Sequence, residues 1–288
     1  MQRKGIILAG GSGTRLYPIT MGVSKQVLPI YDKPMVYYPL SVLMLAGIRD
    51  IAIITTPEDQ AQFQRLLGDG GQWGLRFEWI VQPRPEGLAQ AYILAAGFLN
   101  GAPSMMVLGD NLFFGHGLPE MLARADAQPL GGTVFGYRVA DPQRYGVVDF
   151  DGAGRVRAII EKPAVPPSNF AVTGLYCLDG TAPDKAARVT PSPRGELEIV
   201  SVLEAYLAEG TLTVETMGRG FAWLDTGTHE SLLDAGNFVR TLEERQGLLM
   251  GSPDEVAYRQ GWIDRAALMA RAAMFGKNRY GAYLAALD

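Results

Sequence analysis

Six consecutive residues after a short apolar run, Gly10-Gly11-Ser12-Gly13-Thr14-Arg15, combine three glycines with an arginine. Glycines let a backbone approach a ligand closely and aim successive N–H groups at an anion. An arginine adds a forked donor for phosphate oxygens. On the glycines alone the segment reads equally as a phosphate cradle or as a tight strand-to-helix turn. It matches neither of two familiar nucleotide loops. No lysine follows Gly13, as a Walker A loop requires, and the last position of a dinucleotide fingerprint counted from Gly11 and Gly13 falls on Leu16. Lys25 lies a few residues on, among small and apolar neighbours, in a chain with six lysines and twenty arginines. Two aspartates close apolar runs, Asp110 after Met105–Gly109 and Asp225 after Phe221–Leu224. One such aspartate alone reads as a helix cap or turn residue. With two at equivalent places that reading weakens, and oxygen ligands for a cation such as magnesium, held by one or two carboxylates plus substrate phosphates, stand beside it.

Composition narrows the chemistry. The 288 residues are 48% hydrophobic and 19% charged, which excludes a disordered chain, and a net charge of −4 predicts no global basic face for a polynucleotide. The single cysteine, Cys177, excludes a disulfide framework, and two histidines, His116 and His229, disfavour a His-rich zinc site. The apolar stretch Ile6–Ala9 is ended at once by Gly10-Gly11, too short for a signal segment. No run approaches the roughly 18 apolar residues of a membrane span. The expectation is a soluble, cytoplasmic protein with no membrane partner.

These residues need elements to position them. Strands are predicted at Gly5–Ala9, Ile51–Thr55, Arg76–Gln82 and Ser104–Leu108. Helices are predicted at Pro34–Ala46, Asp59–Leu67, Gly87–Leu99 and Leu118–Ala125. That alternation argues a parallel sheet covered by helices on both faces, with ligands at the carboxyl ends of the strands. From about Gly131 strands dominate: Thr133–Val139, Gly146–Phe150, Val156–Ile160 and Val172–Leu178, with Asp151-Gly152 as a hairpin turn. Glu196–Ala208 reads as helix, Leu212–Thr216 and Phe221–Leu224 as strands, and His229–Glu244 and Ile263–Met274 as helices. Arg194, Glu196 and Glu198 read as a solvated helix start. Leu232, Ala235, Phe238, Val239 and Leu242 keep helical spacing, which means packing or a subunit interface.

The run Ile7-Leu8-Ala9-Gly10-Gly11-Ser12-Gly13-Thr14-Arg15-Leu16, with Pro18, Thr20, Lys25, Leu28-Pro29 and Lys33-Pro34, resembles the signature of sugar-1-phosphate nucleotidylyltransferases. Further segments resemble the glucose-1-phosphate thymidylyltransferase branch. They include Gln72-Trp73-Gly74, Gln82-Pro83, Gly87-Leu88-Ala89-Gln90-Ala91, Leu108-Gly109-Asp110-Asn111, Tyr145-Gly146-Val147-Val148, Glu161-Lys162-Pro163 and Trp223-Leu224-Asp225-Thr226-Gly227. The likeness runs nearly end to end. It implies an α/β fold: a Rossmann-like, mixed but mainly parallel sheet flanked by helices, with a β-rich sugar-binding part and a helical C-terminal extension. As one domain, the chain would divide into a nucleotide-binding part at about 1–130, a sugar-binding part at 131–228 and the extension at 229–288.

The resemblance implies Mg²⁺-dependent transfer of dTMP from dTTP to glucose 1-phosphate, giving dTDP-glucose and pyrophosphate for a nucleotide-sugar pathway. Arg15, Lys25 and Lys162 would be catalytic, and Asp110 and Asp225 would hold the metal. Leu8, Gly10, Gly11, Ser12, Gly13, Thr14, Gln26, Gln82, Pro85, Gly87 and Asp110 would bind the nucleotide, Gln82 reading thymine through an amide that both donates and accepts. Leu108, Asn111, Tyr145, Gly146, Glu161, Lys162, Val172, Tyr176 and Trp223 would take the sugar phosphate. Phe114, Gly115, His116, Arg219, Glu255 and Arg259 would form a regulatory site, although His116 also reads as a helix cap. A homo-oligomer, a tetramer, is expected. The chain departs from the usual pattern at Met21, where a basic residue is frequent, and at Glu86, where Asp is common. Use of UTP or another sugar 1-phosphate remains an alternative, as does a silent regulatory subunit. An NAD(P)-dependent oxidoreductase is disfavoured by the broken fingerprint.

Overall fold

Strand β1 (Lys4–Ala9) is buried along its last five residues. Ile6 and Leu8 face one apolar cluster and Ile7 and Ala9 the other, so both faces of this strand are covered. A parallel strand packed on both sides reads as a continuous apolar run, and this is why the run was visible in the sequence. The computed structural model describes residues 1–288 except Ser12. The predicted role of Ser12 lies outside the described residues.

The remaining strands are β2 (Pro29–Ile30), β3 (Lys33–Pro34), β4 (Asp50–Thr55), β5 (Arg76–Val81), β6 (Ser104–Leu108) and β7 (Asn111–Phe114). They continue with β8 (Gly132–Arg138), β9 (Gly146–Phe150), β10 (Val156–Glu161), β11 (Phe170–Leu178), β12 (Leu212–Met217) and β13 (Ala222–Asp225). The strands β5-β4-β1-β6 run parallel. Antiparallel β11 follows β6, and β11 then carries β8 beside it as well as the β9–β10 hairpin. β12 adds in parallel to β8. The sheet is mixed, with its parallel strands at the N-terminal end of the chain, as expected.

Helices α1 (Tyr37–Leu45), α2 (Gln60–Leu67), α3 (Gln90–Leu94), α4 (Ala96–Leu99) and α5 (Leu118–Asp126) accompany the parallel half. α6 (Ala182–Ala186) and α7 (Ile199–Ala208) pack on the face that holds α3. The C-terminal region is helical: α8 (His229–Gln246), α9 (Pro253–Arg259), α10 (Arg265–Phe275) and α11 (Arg279–Ala286). Among the described residues, no helix is long and apolar enough to cross a membrane.

Three segments differ from the sequence reading. The helix expected from Pro34 starts at Tyr37, because Lys33–Pro34 pairs with Pro29–Ile30 in a small hairpin. The helix expected from Gly87 starts at Gln90, because Glu86 and Ala89 exchange backbone hydrogen bonds with Leu197. That exchange also delays the start of α7 to Ile199. β7 was not anticipated as a strand, and it pairs antiparallel with β13 to form a ribbon separate from the main sheet.

α8 sits on the β2–β3 hairpin. Its predicted apolar stripe packs there, Ala235 and Val239 against Ile30, Met35, Tyr38 and Leu112. A buried ion pair fixes the same contact. The Lys33 ammonium, 2% exposed, donates to Glu243 Oε1 at 2.7 Å, and the Met250 N–H donates to the same oxygen at 2.9 Å. Taking one partner away leaves a charge in an apolar setting, whereas replacing both by apolar groups does not. Lys33→Met is therefore expected to lower the unfolding free energy by about 3–5 kcal/mol in urea titrations. Lys33→Met with Glu243→Leu should recover most of that loss. A double variant as unstable as the single one would contradict this account of the contact.

Candidate active site

β1 has β4 on one side and β6 on the other, so the strand order reverses at β1. Such a switch point opens a crevice beyond the carboxyl ends of the strands. Leu8 and Leu108 are register partners there, and the chain leaves them as Gly10-Gly11 and Gly109-Asp110. A cavity of about 240 Å³ occupies this crevice, lined by Leu8, Gly10, Gly11, Lys25, Gln26, Gln82, Pro85, Gly87, Asp110 and Glu196. It adjoins a second of about 170 Å³ through Leu88, Leu108 and Asp110. The second is lined by Asn111, Arg144, Tyr145, Gly146, Glu161, Lys162, Val172, Tyr176, Trp223 and Asp225.

The two cavities gather most of the residues singled out from sequence. Gly13, Thr14 and Arg15 stand apart: Arg15 is exposed on the turn Thr14–Leu16 and is in neither wall. A larger groove of about 650 Å³ lies across the Gly10-Gly11 segment, but Lys25, Asp110, Lys162 and Asp225 are absent from its walls. Size alone therefore does not locate the chemistry.

The two aspartates meet through the ribbon. Asp225 ends β13 opposite Asn111, the residue after Asp110. It lies outside the main sheet, and the β7–β13 pairing folds Asp225 over the end of β6. Thr226 clamps the arrangement, its N–H and hydroxyl both donating to the Asp110 carbonyl at 3.1 and 2.9 Å. Lys25 donates to Asp110 Oδ2. Asn111 Nδ2 donates to Asp110 Oδ1 at 2.9 Å, while Asn111 Oδ1 accepts from Trp223 Nε1 at 2.6 Å and from the Gly174 N–H at 3.1 Å. Asn111, expected at the sugar phosphate, lines the second cavity and also braces the Asp110 carboxylate.

The two carboxyls titrate apart. Burial pushes Asp110 up, but the charge and hydrogen bond of Lys25, with the Asn111 amide, outweigh it and hold Asp110 below the ordinary carboxylate range. Burial raises Asp225, and the Asp110 charge adds to it. The Arg144 guanidinium, 3.6 Å from Asp225 Oδ2, only partly opposes this. Asp225 therefore stays above the ordinary range. Burial, then the Asp225 charge, also pushes the Tyr145 phenol up to about 12. Among the described residues no group of three or more His, Cys, Asp or Glu could hold a metal. Two carboxylates on one cavity supply hard oxygens and leave the other positions to water and phosphate, which suits magnesium and not a closed structural zinc.

Lys162 follows β10 with φ +41°, a backbone region costly for a side-chain-bearing residue, and its N–H donates to the Tyr145 carbonyl at 3.0 Å. Its ammonium lies 3.3 Å from Glu161. Glu161 also receives Arg194 at 3.0 Å, and Arg194 bonds Glu198 at 2.8 Å. The solvated helix start expected at 194–198 instead precedes α7, with Arg194 tying Glu198 to Glu161 and Glu196 lining the first cavity. On the base side, Gln82 is 2% exposed, and a side chain at Gly10 would place its Cβ 1.8 Å from Gln82 Oε1. Glycine is needed there. Gly87 has φ +110°, and a Cβ would come within 2.4 Å of the Leu197 carbonyl.

A nucleotidyl transferase family model matches residues 4–241, most of the chain. The chain belongs to the nucleotidyl transferase family. Within this family it is 63% identical over 286 residues to a glucose-1-phosphate thymidylyltransferase of Xanthomonas campestris pv. campestris (strain B100), covering 99% of this chain and 97% of that one. It is 56% identical to the Neisseria gonorrhoeae protein of the same name, with 98% of each covered. Its fold also matches a crystal structure from Bacillus anthracis, described as a glucose-1-phosphate thymidylyltransferase with a sucrose, at a TM-score of 0.77 and 38% identity. That match covers 83% of this chain and 96% of the other. This nucleotidyltransferase thus sits among the glucose-1-phosphate thymidylyltransferases.

Sequence reasoning missed Arg144 and Gln90 and set Arg194 aside. Arg144 follows an expected loop and carries no motif, and only its approach to Asp225 marks it. Of the residues expected at a regulatory site, Phe114, Gly115, Glu255 and Arg259 line a separate cavity of about 420 Å³ between α1, β7 and α9. His116 and Arg219 are exposed and not in its wall. His116 is no helix cap either, since α5 is capped by Gly117 without a side-chain bond. For this nucleotidyltransferase, carboxyl ¹³C NMR is expected to show Asp225 taking up a proton before Asp110 as pH falls. Arg144→Gln should move the Asp225 titration to higher pH, because it removes a charge that favours the ionised form. Asp110 titrating first would contradict the assignment.

Proposed function

We propose that this chain transfers dTMP from dTTP to glucose 1-phosphate, releasing pyrophosphate and dTDP-glucose. The observation that carries the reading is the joined pair of cavities, a base-side chamber and a sugar-side chamber that share Asp110. The nucleophile, a phosphate oxygen, is already an anion, so the site needs no general base, and none of its residues forms a nucleophile–base pair. What it needs is positioning and charge neutralisation. Lys25, at the floor of the nucleotide chamber, faces the α-phosphate region. Lys162, held by its strained backbone, brings positive charge to the sugar phosphate. Arg15, exposed on its turn, would close over the leaving pyrophosphate. Glu161 accepts from sugar hydroxyls, and the close Gly146 backbone leaves them room.

Asp110 and Asp225 would hold Mg²⁺, which when bound neutralises phosphate charge in the transition state. Lys25 and Arg144 are the cations that keep these carboxylates compensated otherwise. We also read the 420 Å³ cavity as a regulatory nucleotide site, since it reaches β7, whose other end carries Asn111. A homotetramer in the cytoplasm completes the proposal.

Glucose 1-phosphate, dTTP and Mg²⁺ should release pyrophosphate in a coupled assay, and EDTA should silence the reaction. Lys162→Ala should cost about 10²-fold in kcat/KM for glucose 1-phosphate. No release from the folded protein with this pair would overturn the substrate assignment, and an unchanged kcat/KM would overturn the role of Lys162.

A further inference from the structure

Behind Gln82, which lines the base-side chamber, runs a chain of polar side chains with a fixed direction. Glu86 Oε2 accepts from Gln90 Nε2 at 2.8 Å. Gln90 Oε1 accepts from the Glu86 N–H at 3.1 Å and from Gln82 Nε2 at 2.6 Å. An ionised carboxylate can only accept, so it obliges Gln90 to turn its NH₂ end outward. The Gln90 oxygen must then face inward, toward Gln82. Gln82 must in turn present its NH₂ to Gln90, which leaves its Oε1 over Gly10. The Glu86 carboxylate and the Glu86 backbone N–H, one accepting and one donating, together decide which way round the buried Gln82 amide sits.

We infer that Gln90, oriented by Glu86, is the positioning residue that fixes the Gln82 amide and so selects an imide base over cytosine. The inference rests on Gln82 reading the base, as proposed above. Thymine offers a donor at N3 flanked by acceptors at O2 and O4. A locked amide meets it with Oε1 accepting at N3 and the free Nε2 hydrogen donating to a carbonyl. Cytosine has an acceptor at N3 and a donor at N4, and the same locked amide then sets oxygen against a lone pair. An amide free to flip satisfies cytosine equally well. A site built around polar groups discriminates because a mismatched base leaves them unpaired. Uracil shares the imide edge, so the relay does not sort dTTP from UTP.

The Glu86 carboxylate reaches Gln90 from four residues earlier in the chain. Neither side chain touches the carboxylate pair or Lys162 through any hydrogen bond of the described residues, so their effect should fall on base choice and not on phosphate transfer.

The test is the ratio of kcat/KM for dTTP to that for dCTP, measured with saturating glucose 1-phosphate and Mg²⁺. Wild type should favour dTTP strongly. Gln90→Leu removes the inward acceptor, whereas Glu86→Gln removes the carboxylate but keeps the backbone donor to Gln90. Gln90→Leu should lower the ratio at least tenfold, by a raised KM for dTTP and a gain with dCTP, while kcat with dTTP stays within about threefold, and Glu86→Gln should lower it by a smaller factor. Glu86→Asp, which keeps a carboxylate, should hold more of the ratio than Glu86→Gln. Glu86 is exposed, so its variants remain informative if Gln90→Leu does not fold. An unchanged ratio in Gln90→Leu, a Glu86→Asp ratio no higher than that of Glu86→Gln, or equal losses with both nucleotides, would overturn the inference while leaving the proposed function standing. A wild type inactive with dTTP would overturn the function and, with it, this inference.

Discussion

Two carboxylates that repel one another must be kept side by side, and the site depends on that constraint. Asp110 ends a strand of the main sheet and Asp225 ends a strand of the small ribbon. Nothing local joins them. The β7–β13 register, the double hydrogen bond from Thr226 and the Asn111–Trp223 brace together fix the distance. Lys25 and Arg144 offset the repulsion from opposite sides. The geometry is paid for by the rest of the fold, and a cation-demanding site is the result.

The same logic explains why the glycines cluster where they do. At the switch point between β4, β1 and β6 the backbone must come close to atoms of neighbouring segments. Gly10 yields to the Gln82 oxygen and Gly87 to the Leu197 backbone. In each case a Cβ would occupy the volume a neighbour needs. The glycine run is thus less a flexible loop than a set of places where adjacent elements approach within contact distance.

The parallel half was legible because buried strands must be apolar on both faces, and the amphipathic helices between them show their period. The glycine segment, both aspartates, Lys25, Gln82 and Lys162 were legible as residue types placed after such strands, helped by the resemblance. The ribbon was not. β7 directly follows the Asp110 turn, and its partner β13 is remote in sequence, so no local pattern announces the pairing. The β2–β3 hairpin was hidden by prolines, which argue against strands. Asn111 was assigned to the sugar phosphate by the resemblance, and its bond to Trp223 is invisible without the fold. Gln90 and Arg194 were missed for the same reason: their partners, Gln82 and Glu161, come from other segments, and neither residue carries a signal of its own.

If the carboxylates act as one unit, their contributions to cation binding cannot be separated. Mn²⁺ titration followed by the free-ion EPR signal would measure this in the wild type, in Asp110→Asn, in Asp225→Asn and in the double variant. The account expects each single substitution to abolish binding as fully as the double one does. A single variant that keeps wild-type affinity, or losses that simply add, would contradict it.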